Sequence, residues 1–314
     1  MMFRRFIFGI LVFAAAASAW PQAKPEPPAR LKPAGPSVEQ AVAMAEQGRC
    51  REALPVLRSG LPRMTDKVQR LSAAMAEAKC GMALDDYATA IAGLLQMRRD
   101  APQNPEVLYV WAHYFSQIAN RAAQELASTE PDSVQALRLE AEALEAQDKP
   151  DQATTVYRHI LEKDPNARDI HYRLAQILLN NPTPGQNNEE EARKELEAEL
   201  KVNPYNAAVE FVLGELSRRA GQWDAAIDHF ARAAKFDSGF VEASLALGMS
   251  LNSSGKFADA IAPLERYVKA VPDDPAGHYQ LSMSYARTGN REAAVRESQL
   301  QREAAEKKPV ITSH

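Results

Sequence analysis

The sequence contains little cysteine, few aromatic residues and no excess of basic charge. Only two of its 314 residues are cysteines, which excludes a disulfide-rich small domain, and they form no Cys-x-x-Cys motif. With 7% aromatic and 46% hydrophobic residues, the composition favours helices packed through small side chains over a β-rich fold. A formal net charge of −4 argues against general binding to nucleic acids or anionic membranes, because a basic surface would supply most of that affinity.

Motifs of catalysis and metal binding are also missing. No two of the six histidines have the helical spacing of metal ligands, and no His-Glu-x-x-His motif occurs. The chain also has no phosphate-binding glycine loop and no Gly-x-Ser-x-Gly elbow. We therefore expect no enzymatic activity, no metal and no cofactor. A hydrolase that uses His113 or His171 with nearby carboxylates is the alternative, although no nucleophile and base share a recognisable spacing.

The N-terminus has the three parts of a secretory signal peptide. Arg4 and Arg5 precede an apolar run at 6–17, which ends in Ala17-Ser18-Ala19. We predict a signal peptide at 1–19, cleaved after Ala19, and a periplasmic or secreted protein; retention as an N-terminal anchor is the alternative. The run is shorter than the roughly 20 apolar residues of a spanning helix, and no such run follows, so we expect no integral membrane span in the mature chain.

A proline-rich linker is predicted at 20–36, where six of seventeen residues are proline. This composition is typical of an extended, semi-rigid segment, and a disordered leader is equally compatible with it.

Beyond the linker the sequence repeats with a period of 34 residues. The period is visible in three sets of residues: Gly221, Gly255 and Gly289; Leu213, Leu247 and Leu281; Ala226, Ala260 and Ala294. A helix-turn-helix unit of this length cannot bury its apolar face alone, so stacked copies share one continuous core. The clearest units are 134–167, 168–206, 207–240, 241–274 and 275–308, and weaker ones lie at 37–70, 71–104 and 105–133.

Each clear unit has small residues where its two helices cross, and the first four units also have one bulky residue there. A small side chain is needed there because a larger one would push the helix axes apart. The small positions are Ala141, Ala175, Gly214, Gly248 and Ser282 on the first helices and Ala153, Ala192, Ala226, Ala260 and Ala294 on the second. The bulky residues are Tyr157, Leu196, Phe230 and Leu264.

The segment from Gly221 to Ile227, followed by Phe230 and Ala233, resembles the tetratricopeptide repeat family in a secreted or periplasmic bacterial form. The resemblance implies an all-α, right-handed α-solenoid of about eight helix-turn-helix repeats. It divides the chain into degenerate repeats at 37–133, a C-terminal array at 134–308 and a tail at 309–314. The unit at 105–133 is expected to have a short second helix. The last unit is expected to end in a polar, solvating cap that includes Glu297, Arg302 and Glu303.

The resemblance also places the two cysteines close together. Cys50 would start a second helix and Cys80 would lie in the next first helix, and these helices are neighbours in this fold. An exported protein permits oxidation, so we expect a Cys50–Cys80 disulfide, with two separate thiols as the alternative.

The concave face of such repeats is built from the first helices, and the resemblance implies a binding groove there. The residues expected to line it are Tyr109, His113, Arg138, Glu142, Tyr172, Gln176, Phe211, Glu215, Arg218, Arg219, Leu245, Met249, Asn252, Tyr279, Met283 and Arg287. Tyr172, Phe211, Leu245 and Tyr279 would form an apolar stripe, although some of them could instead pack between repeats. Arg218, Arg219 and Arg287 would flank the stripe and could recognise carboxylates.

The function predicted from these features is that of a non-enzymatic scaffold or adaptor of the cell envelope, which binds a peptide or protein segment in the groove. The alternative is a module for envelope polysaccharide or peptidoglycan, with Trp111, Tyr109 and Tyr172 stacked on sugar rings. Self-association is a further possibility. His171 and His278 occupy equivalent repeat positions and are expected to serve packing.

Overall fold

The computed structural model describes residues 35–182 and 187–307, which form fifteen α-helices and no strand. The predicted signal peptide, residues 20–34 of the linker, residues 183–186 and the tail lie outside the described residues. The α-helices are α1 Val38–Glu46, α2 Cys50–Gly60, α3 Lys67–Ala83, α4 Tyr87–Asp100, α5 Pro105–Thr129, α6 Val134–Ala146, α7 Pro150–Lys163, α8 Ile170–Asn180, α9 Asn188–Val202, α10 Ala207–Arg219, α11 Trp223–Phe236, α12 Val241–Ser253, α13 Phe257–Ala270, α14 Pro275–Arg287 and α15 Arg291–Lys307.

The helices form two compact units, the first ending at Ile118 and the second beginning at Ala119. The first contains the helix pairs α1/α2 and α3/α4, whose core also receives Trp111 and Phe115 from α5. The second contains five consecutive pairs from α6 to α15. The predicted all-α solenoid of helix-turn-helix repeats is confirmed.

The stretch 105–133 differs from the prediction of a shortened helix pair. It contains one continuous helix of 25 residues, α5, so the predicted second helix is wrong. After Pro105 the helix sequence has no glycine or proline that would start a turn, and the helix continues until shortly before Pro131. The described residues therefore form seven helix pairs and one long single helix.

The seams between paired helices have the predicted small and bulky residues. Phe230 and Leu264 are fully buried. A Cβ added to Gly214 would lie 2.6 Å from Phe230 Cε1, and one added to Gly248 would lie 2.4 Å from Leu264 Cγ. Both distances are shorter than van der Waals contact, so each bulky side chain fills the space that the missing glycine side chain leaves.

The turn inside several helix pairs requires a left-handed backbone. Gly221, Gly255 and Gly289 have φ of 71°, 79° and 86° in this turn. In the α6/α7 turn the same position is occupied by Asp148, with φ of 57°. A left-handed conformation costs glycine nothing but costs other residues free energy, and Asp tolerates it better than most.

We therefore expect Asp148→Gly to stabilise the protein, by about 0.5–1 kcal/mol, because it removes this backbone strain. Thermal denaturation followed by circular dichroism would show a raised Tm. The matched control is Asp151→Gly, in the first turn of α7, which should lower Tm because glycine is a poor helix former and the change removes a negative charge that favours the helix N-terminus. A Tm for Asp148→Gly at or below the native value would contradict the strain argument.

The two cysteines form the expected disulfide. Cys50 begins α2 and Cys80 lies near the end of α3, with their Cα atoms 4.9 Å apart. Both residues are buried in the core of the first unit. The bond therefore links two successive helix pairs.

Histidine and glutamate join the two helices of three repeats. In each pair an imidazole Nδ1 lies within hydrogen-bond distance of a carboxylate oxygen, which confirms the packing role expected for His171 and His278. The pairs are His171–Glu195 at 2.6 Å, His229–Glu210 at 2.6 Å and His278–Glu297 at 2.7 Å. The histidine is on the first helix in the outer two pairs and on the second helix in the middle one.

Glu297 corrects the expectation of a uniformly polar last helix. It is buried against His278 and does not belong to the solvating face. Arg302 and Glu303, by contrast, are exposed.

Candidate functional site

Two adjoining cavities lie along α8 and share Arg173 and Gln176; together we call them the α8 groove. Their volumes are about 360 Å³ and 310 Å³. The first is lined by Arg138, Glu142, Tyr157, Asp169, Ile170, Tyr172, Arg173, Gln176, Asn206 and Ala208. The second is lined by Glu145, Asp148, Pro150, Arg173, Gln176, Ile177, Asn180 and Asn181. The first helices of three consecutive repeats thus contribute to the lining of these two cavities.

Four predicted residues meet in the first cavity: Arg138 and Glu142 from α6 and Tyr172 and Gln176 from α8. Each pair is four residues apart, which places both side chains on one helix face. Tyr172 also packs against the core between α8 and α10, and this burial raises the pKa of its hydroxyl. That these residues bind a ligand stays a prediction.

Glu145 connects two other lining residues of the groove, Tyr157 and Arg173. The buried Tyr157 donates its hydroxyl hydrogen to Glu145, and Arg173 Nη1 lies 3.8 Å from the other carboxylate oxygen. Burial, and then the hydrogen bond to Glu145, raise the pKa of Tyr157 above its usual range. Tyr157 therefore stays neutral and acts as a donor.

Asp169 has an unusual backbone at the rim of the groove. It precedes α8 with φ of 67°, in the left-handed region, and its N–H donates to Glu199 Oε1 at 2.8 Å. The Glu199 side chain is fully buried, and its second oxygen has no hydrogen-bond partner among the described residues. Strained backbone of this kind persists only where surrounding contacts hold it.

Sequence reasoning missed several lining residues, among them Asp169, Arg173, Asn206 and Glu145. Asn206 is recognisable as a helix start, because its side chain accepts a hydrogen bond from the N–H of Val209. Asp169 and Ala208 are 39 residues apart, which is the length of the 168–206 unit, so the alignment of the repeats could have shown that they hold the same position. The contact between Arg173 and Glu145 depends on side-chain geometry that no spacing reports.

The three arginines expected to recognise carboxylates already have partners. Arg218 donates to Glu215 of its own helix, at 2.7 Å and 3.2 Å. Arg219 Nη1 lies 3.4 Å from Glu189, and the Arg287 guanidinium lies 4.7 Å from the centre of the Phe257 ring. All three guanidinium groups are therefore engaged within the chain.

The predicted apolar stripe is mostly used for packing. Phe211 packs between the Phe230 and Phe240 rings, at centroid distances of 5.4 Å and 4.8 Å, and Leu245 packs on the core of the last repeats. Tyr279 remains 54% exposed. Met249 and Met283 are half-buried.

Asn252 is buried and joins two repeats. Its amide donates to the backbone oxygen of Gln280 at 3.0 Å, and its carbonyl accepts from the Ser284 hydroxyl at 2.8 Å. Asn252 therefore has a structural role in place of the expected groove position.

The aromatic residues of α5 belong to the first unit. Tyr109 is exposed and stacks on His113 at 5.9 Å. Trp111 donates its indole N–H to the Leu94 carbonyl at 2.8 Å and lies half-buried beside Phe115. Part of the Trp111 surface is thus unavailable for stacking on a sugar.

Neither a metal cluster nor a membrane span was found in the part of the chain that the structure describes. No group of three or more His, Cys, Asp or Glu residues there has metal-binding geometry. No described helix combines the length and hydropathy required to cross a bilayer.

Comparison with protein families identifies the repeats. Three models, each described as a tetratricopeptide repeat, match residues 134–177, 185–239 and 217–283. Tetratricopeptide repeats are therefore present in the second unit, in the helices that form and flank the α8 groove. No curated protein matches the sequence.

Solved structures of similar fold are tetratricopeptide repeat proteins and MamA proteins. YrrB, described as a TPR protein with an unusual peptide-binding site, is 19% identical, with a TM-score of 0.51 over 59% of this chain and 93% of its own. A MamA protein is 20% identical, with a TM-score of 0.49 over 58% of this chain and 96% of its own. MamA from Desulfovibrio magneticus RS-1 is 14% identical, with a TM-score of 0.48 over 56% and 96%. At this identity the likeness to YrrB shows the fold alone.

Proposed function

We propose that this protein is a non-enzymatic scaffold or adaptor of the cell envelope, which binds a peptide or protein segment in the α8 groove. One observation carries the proposal. Tyr172, Gln176 and Glu142 face one cavity and make no side-chain hydrogen bond within the described chain. Polar groups that lose contact with water are normally paired, so the half-buried Tyr172 and Gln176, with the exposed Glu142 beside them, are suited to pair with a ligand.

The shape of the groove favours an extended segment. Its lining comes from α6, α8 and α10, so a ligand that fills it crosses several helices. Hydroxyl, amide and carboxylate groups can bond to a peptide main chain, and the half-buried Tyr172 ring offers contact area. YrrB, a protein of similar fold, is described as having a peptide-binding site.

Two features support a location in the envelope. The Cys50–Cys80 disulfide is typical of oxidising compartments. The basic and apolar start of the sequence has the pattern of an export signal.

The proposal is tested by crosslinking and capture from intact cells with a Tyr172→Ala/Gln176→Ala variant. We expect the native chain to retain a specific protein and the variant to lose it, because both side chains are at the centre of the groove. The control variant, Gln152→Ala/Arg158→Ala, changes two exposed residues of α7 and should capture normally. Circular dichroism checks that both variants are folded.

Equal capture by the native chain and the groove variant would overturn the assignment of the groove. If no protein is captured and purified chain binds on a glycan array, the polysaccharide alternative is correct instead.

A further inference from the structure

We propose that the α8 groove selects a peptide segment carrying a basic side chain, lysine or arginine. This inference rests on the proposed function and specifies the chemistry of the ligand. The sequence predicts a ligand with carboxylates, recognised by Arg218, Arg219 and Arg287. This inference instead assigns a positive charge to the ligand.

The first argument is the charge of the lining. The two cavities present the carboxylates of Glu142, Glu145, Asp148 and Asp169, against the guanidinium groups of Arg138 and Arg173. The lining therefore has an excess of negative charge. In a concave site with low-dielectric walls, such an excess concentrates cations.

The second argument concerns the charged lining residues that already have a partner within the chain. Arg138 Nη2 donates to the Arg168 carbonyl at 2.6 Å, and Arg173 is paired with Glu145. The side chains of Glu142, Asp148 and Asp169 make no hydrogen bond or ion pair with any described residue. These three carboxylates are exposed, and the Arg138 guanidinium also has no ion-pair partner in the described part of the chain. Three negative charges against one positive charge leave the groove negative, which favours a cationic ligand.

The third argument is that the position of Asp169 at the rim is fixed by a buried side chain. The N–H of Asp169 donates to Glu199 Oε1 at 2.8 Å, and Glu199 is fully buried. The bond holds Asp169 in its left-handed conformation at the rim.

Tyr172 provides the fourth argument, because its ring lines the same cavity as Glu142 and Asp169. A cation over an aromatic face is attracted to it, and carboxylates beside the ring can accept hydrogen bonds from the same ammonium or guanidinium group. The absence of a metal-binding cluster among the described residues favours an organic cation over a metal ion.

The test is a selection of randomised peptides displayed on phage against the purified chain, followed by binding measurements on a selected peptide. We expect selected sequences to be enriched in lysine and arginine over aspartate and glutamate. Replacing the selected basic residue by glutamine should weaken binding about tenfold, which corresponds to about 1.4 kcal/mol.

A double-mutant cycle then assigns the charge to the groove. Glu142→Gln/Asp169→Asn should weaken binding of the basic peptide about tenfold and leave its glutamine version nearly unchanged. Asn is chosen at 169 because it tolerates the left-handed backbone. Gln152→Ala/Arg158→Ala again serves as the control.

Each outcome separates the two proposals. Peptides that bind in the groove, and lose binding with Tyr172→Ala/Gln176→Ala, but show no basic preference or prefer acidic residues, would overturn only the charge inference. Selected peptides unaffected by any groove variant, or a selection that yields no binder, would overturn the peptide groove and the charge inference together.

Discussion

Reduction of the Cys50–Cys80 bond is expected to destabilise the first unit by about 3–4 kcal/mol, because a closed loop of this length constrains the unfolded chain. Only two helix pairs and part of α5 form this unit, so the loss is a large fraction of the stability of a small domain. Hydrogen exchange followed by mass spectrometry across a urea series, with and without a reductant, would measure the unfolding midpoint of each unit separately.

The second unit provides the internal reference, because it contains no cysteine and should keep its midpoint. A Cys50→Ala/Cys80→Ala variant should show the lowered midpoint of the first unit in both conditions and no response to the reductant. An unchanged midpoint of the reduced native chain would mean that packing of the buried cysteine side chains, and not the covalent bond, determines stability here.

Phe230→Ala is expected to cost about 3–5 kcal/mol, because it empties a fully buried site at the centre of the repeat array. The ring lies over Gly214, which has no side chain to fill the cavity, and it also contacts Phe211. Urea denaturation followed by circular dichroism would show a lowered midpoint for the second unit.

Phe230→Leu is the matched control. Leucine occupies the equivalent position at 264 and packs there over Gly248, so the repeat geometry is known to accept it. We expect it to retain most of the stability, with a loss of about 1–2 kcal/mol. Equal losses for the two variants would show that contacts specific to the aromatic ring, and not filled volume, stabilise this seam.

The fold could be predicted from the sequence because the packing of repeats requires particular residue types at a fixed period. Gly221, Gly255 and Gly289 mark turns that need positive φ, and the small and bulky residues mark where helices cross. The stretch 105–133 was misread because the expected repeat was given more weight than local evidence. The absence of glycine and proline between 106 and 130 is typical of a single helix, and the structure has one.

The candidate site was only partly predictable. Register alone placed Tyr172 and Gln176 on the face that lines the groove. Register could not show that Arg218 bonds to Glu215 or that Asn252 joins two repeats, because rotamers and burial decide these contacts. The sequence predicts recognition of carboxylates, whereas the charge preference that we propose depends on which side chains are already paired, and no spacing reports this.

The His229–Glu210 pair has its histidine on the second helix, whereas the other two pairs have it on the first. This difference affects whether similar repeats can exchange helices. Neighbouring repeats with nearly equivalent packing faces can misassemble, with a first helix joined to the second helix of the wrong unit. If α8 took α11 as its partner, His171 would meet His229, and α10 against α9 would place Glu210 opposite Glu195. The buried Glu210 and the half-buried Glu195 would repel each other as carboxylates, so this wrong pairing is penalised while the correct one is not. The opposite order of acid and base in these two successive repeats thus lets α8 and α10 each distinguish its own partner helix from that of the other.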